Sequence, residues 1–263
     1  MRVSFRGGAY VIARAMPNAG FPFANGVKSV ADCSLKLSGE AWPFAQEHSA
    51  EIDAHWQAAT DKNPAYFNGI VHLIDSVRFV DEVLYATLTR TEFKSYLYWR
   101  MHGFPEAGVL DGFGSALIRS LDGEYLLGQQ MPGNVNYGFA CLPSGFIDER
   151  DVLPDGTIDI TRSIEREIAE ELGDVAKLVQ KEKGFVVTRS DTQMSFAVRF
   201  YAPMPTAEVV RLVEAHNATC DNPELQTIIP VANCDDLKRL NMLPSTRATM
   251  EALFAARRGP SVH

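Results

Sequence analysis

Hydrophobic and polar positions alternate irregularly in the first part of the chain. A Gly-, Pro- and Asn-rich stretch occupies residues 17–26, and two alternating runs within 70–90 predict a pair of strands. Helices are predicted at about 45–59 and at 91–100, the second of them rich in aromatic residues. This part of the chain therefore reads as a small α+β region without a recognisable catalytic motif.

From residue 112 onward the pattern becomes more regular. Asp122 and Gly123 join two apolar runs and predict a hairpin, because this dipeptide favours turns that need positive φ. A further strand runs into a Pro-Ser-Gly turn within 137–148. The remaining predicted elements are strands at 184–190, 194–203 and 225–231 and helices at 163–174, 206–217 and 245–258. Strands interleaved with helices predict an α+β fold, a mixed sheet covered by helices on both faces.

These patterns divide the chain into three parts. We predict an N-terminal accessory domain at 1–110, a main domain at 111–258 and a short tail at 259–263.

Composition and charge narrow the classes of partner. The 263 residues carry a formal net charge of −8 and no Lys- or Arg-rich run, so an electrostatic footprint for nucleic acid is missing. The four cysteines form no C-x-x-C pair, which argues against a zinc ribbon or a compact disulfide framework. Arginines interrupt the N-terminal apolar residues, and no run reaches the length of a membrane span. We expect a soluble cytoplasmic protein with a small-molecule partner, binding neither nucleic acid nor membrane.

The segment SIEREIAEELGD at 163–174 crowds four glutamates onto one predicted helix. Glu167, Glu170 and Glu171 follow one edge of an isoleucine stripe, whereas Glu165 falls on the opposite edge. Like charges at these spacings near a helix C-terminus cost roughly 1–2 kcal/mol unless a cation is present. Oxygen ligands of this kind suit Mg²⁺ or Mn²⁺. The alternative is a solvated acidic face without function.

The run REIAEELG at 166–173, with the Pro-Ser-Gly turn upstream, resembles the core of the Nudix box of Nudix (MutT-like) hydrolases. The resemblance implies a Nudix-type α/β/α sandwich and hydrolysis of the diphosphate bond of a nucleoside diphosphate derivative. It also implies that Glu167, Glu170 and Glu171 bind Mg²⁺ or Mn²⁺ and that Arg166 orients a carboxylate. Gly145 would be the opening glycine of the box, beside Ser144 at the substrate phosphates.

The chain departs from the Nudix pattern at several positions. Ile158 stands where the pattern has a glutamate, although Asp155 and Asp159 lie close by. The loop between the opening glycine and the helix is seven residues longer than the family spacing. Ser144 replaces a second glycine, and Asp174 replaces an aliphatic residue. The number of metal ions is therefore left open.

A second, gapped resemblance covers more of the chain. The segments NPAYFNG, LTRTEF, PELQTIIPV and LPSTRATMEAL are similar, in this order, to a divergent branch that includes UDP-glucose pyrophosphatases. This similarity implies that a UDP-sugar or related NDP-sugar is split into a nucleoside monophosphate and a sugar 1-phosphate. Within it, Phe67 or Tyr137 would stack a base, unless Phe67 is an ordinary core residue. Glu224 would be the general base, unless it is a solvated loop acid. A homodimer is also possible by resemblance.

Two other functions remain open from the sequence. Loss of the glutamate at Ile158 would suit a non-catalytic nucleotide-binding module, although such a module has no need for three crowded acids. An isomerase acting on isoprenoid diphosphates would need a reactive cysteine in the pocket, for which Cys141 is the candidate.

Overall fold

The computed structural model describes residues 23–257, so the predicted tail and most of the Gly-, Pro- and Asn-rich stretch lie outside the described residues. The strands are β1 (Gly26–Val30), β2 (Asp32–Ala41), β3 (Ile70–Val80), β4 (Val83–Glu92), β5 (Asp111–Ser120), β6 (Tyr125–Gln130), β7 (Ala140–Cys141), β8 (Ser144–Phe146), β9 (Thr157–Ile158), β10 (Gln180–Ser190), β11 (Gln193–Ala202) and β12 (Leu225–Val231). The helices are α1 (Pro43–Glu47), α2 (Ser49–Lys62), α3 (Phe93–Met101), α4 (Ile160–Leu172), α5 (Thr206–Thr219), α6 (Cys234–Leu237) and α7 (Pro244–Arg257). None of the helices within this range is both long and apolar enough to cross a membrane.

The larger sheet has the strand order β1-β10-β11-β5-β6-β12, with β7 paired to β6 and β8 paired to β5. Strands β11 and β5 run parallel and the other pairs run antiparallel. Successive side chains of β5 point to opposite faces: Ala116 and Ile118 join the core that contains α4 and α5, whereas Leu117 joins the cluster that contains α7. The predicted α+β fold with a mixed sheet between helical layers is therefore confirmed.

The smaller sheet has the order β3-β4-β2-β9. Helix α3 packs beside it through an aromatic cluster that includes Tyr96 and Trp99, and the main core holds apolar residues of both sheets and of α4. Strand β1 joins the larger sheet, whereas β9, from the expanded loop, joins the smaller one. Strands thus cross the predicted border at 110/111 in both directions, and the border itself stays a prediction.

Two N-terminal elements differ from the sequence prediction. The predicted helix at 45–59 is divided at His48 into α1 and α2, and Pro43 starts the first of them at a position where proline suits a helix. Strand β2 was not predicted. Its inward positions Cys33 and Leu35 are buried, but Ser38 and Gly39 interrupt the apolar alternation that reveals a strand.

Helix α4 is fixed at both ends. Asp159 caps its N-terminus by accepting a hydrogen bond from the Arg162 backbone N–H. At its C-terminus Gly173 has a φ of 59°, and a Cβ there would collide with the ring of His216 from α5. The His216 Nε2 atom lies 3.1 Å from the carbonyl oxygen of Glu170. The isoleucine stripe is buried at Ile160, Ile164, Ile168 and Leu172. Burial and capping together fix the helix face that carries the glutamates.

Candidate active site

A cleft of about 230 Å³ opens where β5, β8, α4 and the segment before β12 meet. Five of the residues that the sequence proposed for the site line it together: Ser144, Gly145, Glu167, Glu170 and Glu224. The fold therefore brings the turn, the helix and the distant loop acid to one place.

Glu167 packs directly on the glycine of the turn. A Cβ at Gly145 would overlap the Glu167 carboxylate, so no side chain fits there. Glu167 is only 6% exposed. Burial raises the pKa of this carboxyl to about 7, and the nearby Glu170 and Glu224 add to the rise while Arg166 opposes it. A cation at this carboxylate would therefore be strongly favoured.

Arg166 holds Glu167 in place. Its Nη1 atom donates to Glu167 Oε1 at 2.7 Å, and its Nη2 atom donates to both oxygens of Asp151 at 2.9 and 3.1 Å. Asp151 is fully buried, so the guanidinium is anchored from behind while it orients the glutamate.

Glu171 lies beneath the cleft rather than on its lining. The Ser144 backbone N–H donates to one of its carboxylate oxygens and Gln130 Nε2 donates to the other, each at 3.2 Å. Burial, with added repulsion from Glu167 and Glu224, raises the pKa of Glu171 well above its ordinary value. Both oxygens of Glu171 thus accept hydrogen bonds, and its role as a metal ligand stays a prediction.

Ile158, which replaces the family glutamate, is buried in β9 opposite Leu35 and supplies no ligand. Neither nearby aspartate takes its place. Asp155 accepts hydrogen bonds from Thr157 in its own turn, and Asp159 caps α4.

The expanded loop brings two other charged residues to the cleft. Arg150 Nη1 donates to Glu170 Oε1 at 3.2 Å, and Arg150 Nη2 donates to Asp148 Oδ2 at 2.6 Å. Asp148 and Asp151 cap a 3-10 turn reciprocally. These residues did not stand out in the sequence, where the D-x-x-D spacing of that reciprocal cap is the signal that could have revealed them.

The donor set fits a hard divalent cation. Glu167, Glu170 and Glu224 offer only carboxylate oxygens, the ligand type that Mg²⁺ and Mn²⁺ prefer. Within residues 23–257 no three acidic, His or Cys side chains are already gathered as a metal centre. Arg166 and Arg150 occupy oxygens of Glu167 and Glu170 in this arrangement. A bound cation would replace these contacts.

The other end of the cleft is also polar. Tyr96, Arg100, Asp111, Asn136 and Gln193 line it, and none of them stood out in the sequence. Because Tyr96 and Arg100 belong to α3, the predicted N-terminal region supplies part of the cleft wall.

Neither aromatic residue proposed for base stacking lines the cleft. Phe67 is 81% exposed, so the interpretation as a core residue was wrong, and Tyr137 is 55% exposed. Their role in binding stays a prediction.

Cys141 is buried outside the cleft lining, and burial raises the pKa of its thiol to about 12. A protonated thiol in this position does not suit the isomerase hypothesis.

No protein-family profile and no curated protein matches the sequence. Among solved structures, the chain is similar to a Nudix hydrolase from M. smegmatis, RenU (18% identity, 58% of this chain, 88% of that chain, TM-score 0.39). It is also similar to a MutT protein from Methanosarcina mazei (20%, 57%, 96%, TM-score 0.38) and to a C. elegans Ap4A hydrolase (16%, 56%, 99%, TM-score 0.36). At these identities and TM-scores, any assignment of function depends on the side chains of the cleft.

Proposed function

We propose that the protein is a metal-dependent hydrolase of the Nudix type that splits the diphosphate bond of a nucleoside diphosphate derivative. The observation that carries the proposal is the meeting of Glu167, Glu170 and Glu224 in one cleft, with Gly145 pressed against the first of them. Three acids so placed repel one another, which disfavours the arrangement unless a cation binds there.

The residues around the cleft have distinct tasks in this proposal. Glu167 and Glu170 would hold Mg²⁺ or Mn²⁺, with Glu171 adding negative charge from below. When bound, such an ion would neutralise charge on the phosphates and lower the pKa of the attacking water. Arg150, which lines the same cleft, can pair with a phosphate oxygen.

Glu224 is the proposed general base. Burial raises its pKa above the ordinary value, with repulsion from Glu170 adding and Arg150 opposing. A carboxylate with a raised pKa takes a proton from water more readily near neutral pH. Glu224 lines the cleft, but its side chain is exposed to solvent, so the alternative of a solvated loop acid stays open.

The proposed substrate is a UDP-sugar, with UMP and a sugar 1-phosphate as products. Two observations support it. The similarity to UDP-glucose pyrophosphatases includes the PELQTIIPV segment, whose Glu224 lines the cleft. The cleft also continues past the acids to a polar end where a nucleoside can bind, lined by residues of α3 and β5.

A non-catalytic nucleotide-binding module is the second candidate. It is favoured by Ile158 in place of a ligand and by the arginines that already neutralise Glu167 and Glu170. The two candidates differ in turnover, not in binding.

The test is incubation with Mg²⁺ and a panel of UDP-glucose, ADP-ribose, NADH, dinucleoside polyphosphates and nucleoside triphosphates, followed by chromatographic separation. We expect UMP and glucose 1-phosphate from UDP-glucose. Glu224→Gln should lower turnover by about 10²–10⁴-fold. The matched control is Glu165→Gln, because Glu165 pairs with Lys181 at 2.8 Å on the far side of α4. Nucleotide binding without turnover of any substrate would establish the binding module instead.

A further inference from the structure

Asp111, at the start of β5, lines the cleft and carries a carboxylate oxygen that accepts no hydrogen bond within residues 23–257. The residue is 2% exposed, and its Oδ1 atom has no hydrogen-bond partner within residues 23–257. Its other oxygen, Oδ2, accepts from the Tyr96 hydroxyl at 3.1 Å and from Gln193 Nε2 at 3.2 Å. Leaving a buried acceptor unpaired is costly, by about 1–3 kcal/mol or more for a charged group. A ligand that brings a donor to Oδ1 would remove this cost.

The surroundings hold the Asp111 carboxylate in one orientation. Arg100 Nη1 donates to the Tyr96 hydroxyl at 3.0 Å, and Arg100 Nη2 donates to Asn136 Oδ1 at 2.9 Å. Burial raises the pKa of Asp111, and Arg100 and the hydrogen bonds from Gln193 and Tyr96 oppose the rise. The hydrogen bonds to Oδ2 hold the carboxyl in one orientation and leave Oδ1 for a ligand.

The position of Asp111 relative to the acids suits a nucleotide. Gly114, three residues further along β5, is the register partner of Gly145, which contacts Glu167. Three residues of strand span about 10 Å, comparable to the separation of a base edge from the phosphates in a nucleotide. Gly114 faces α4, so Asp111 lies on the other face of the strand, and the cleft that both Asp111 and Glu167 line connects the two. Phe113 lies between, on the same face of the strand as Asp111, and its ring also lines the cleft. An aromatic ring at this point can stack a base.

We propose that Asp111 selects the base of the substrate by accepting a hydrogen bond from the imide N–H of uracil. The inference rests on the proposed function, whose substrate it specifies at the base. Uracil presents an N–H donor between two carbonyl acceptors, so it can donate to Oδ1 while a carbonyl oxygen accepts from a neighbouring donor. Gln193 has a second N–H for one of these carbonyls, since its amide nitrogen carries two hydrogens.

Other bases fit this acceptor less well. Guanine pairs best with a carboxylate through two N–H groups, but Oδ2 is already occupied by Tyr96 and Gln193. Cytosine placed as uracil would turn the lone pair of its ring nitrogen toward Oδ1, and the two acceptors would repel. Adenine and cytosine can each offer an exocyclic amino group instead, so both are competitors to be measured.

The experiment is titration calorimetry of the whole chain with UMP, CMP, AMP and N3-methyl-UMP in the presence of Mg²⁺. The wild-type protein should bind UMP about 10- to 100-fold more tightly than CMP or N3-methyl-UMP. The methylated nucleotide lacks only the imide N–H, so this comparison needs no variant. Equal binding of UMP and N3-methyl-UMP, tighter binding of AMP, or absence of UMP binding would overturn the inference.

The Asp111→Asn variant gives a second test. Tyr96 and Gln193 both donate to the Oδ2 position, so the amide oxygen should occupy it and the amide nitrogen should replace Oδ1. The variant would then present an N–H donor at the position of the Oδ1 acceptor, and the binding preference should shift from UMP to CMP. The control Asp155→Asn removes the same charge from an exposed loop and should keep the wild-type preference.

The two proposals fail in different ways. Hydrolysis of a UDP-sugar without discrimination between UMP and N3-methyl-UMP would leave the proposed function standing and refute the role of Asp111. Uracil preference without hydrolysis of any substrate would refute the enzyme and support the role of Asp111.

Discussion

The raised pKa of Glu167 makes the stability of the metal-free protein depend on pH. Its carboxyl titrates at about 7 in the folded protein instead of 4.5, because it is buried beside other acids. The protonated form is therefore favoured on folding. The resulting stabilisation is complete below about pH 4.5 and is lost as pH rises through about 7. Since each unit of pKa corresponds to about 1.4 kcal/mol, the loss amounts to about 3 kcal/mol.

Glu167→Gln should remove this dependence, because glutamine keeps the shape of the side chain and cannot ionise. We expect the free energy of unfolding of the wild type, measured by urea titration in EDTA, to decrease between about pH 5 and pH 8.5. In the variant this decrease should be smaller by about 2–3 kcal/mol. Tryptophan fluorescence can follow unfolding, since Trp99 is fully buried.

Two further measurements make the test strict. Glu165→Gln should retain the wild-type dependence on pH, since Glu165 lies at an exposed ion pair with Lys181. Adding Mg²⁺ at about pH 8.5 should stabilise the wild type and the Glu165 variant but stabilise Glu167→Gln much less. Identical pH profiles for Glu167→Gln and the wild type would refute the reasoning that burial beside like charges governs this carboxyl.

Three other predictions concern turnover in the proposed reaction. Gly145→Ala should lower turnover by roughly 10²-fold, because the new methyl group displaces the Glu167 carboxylate; unchanged steady-state rates would show that this contact is unimportant. Glu171→Gln should lower turnover by at least about 100-fold and raise the metal concentration needed, while circular dichroism shows an intact fold; full activity would mean that the metal site is misplaced. Cys141→Ala should retain activity within about threefold in the same assay, because the substitution of this buried residue causes only small packing changes. Loss of activity in this variant would indicate that the thiol takes part in the reaction.

The sequence predicted most of the main domain because its elements carry strong local signals. The Asp122-Gly123 turn, the isoleucine stripe of α4 and the apolar strands each report on their own neighbourhood. Residues of the site were predictable for the same reason where they share the helix, as Glu167 and Glu170 do.

The rest of the site could not be predicted because it depends on contacts between distant segments. Asp111 faces Tyr96 and Gln193 across three elements, and Arg150 reaches Glu170 from a loop whose conformation has no periodic signal. Strand β2 was missed because its pairing with β4 and β9, rather than its composition, defines it.

The pairing of β1 with β10 has a consequence for synthesis of the chain. Gly26 lies opposite Arg189 in this pairing, so the first strand emerges from the ribosome long before its partner exists. Until then its backbone N–H and C=O groups are exposed to neighbouring nascent chains, which is the condition under which strands associate wrongly. Nonlocal pairing of this kind also slows folding, because loop closure must precede any gain from contact. The larger sheet therefore cannot be completed before β10, β11 and β12 have been synthesised.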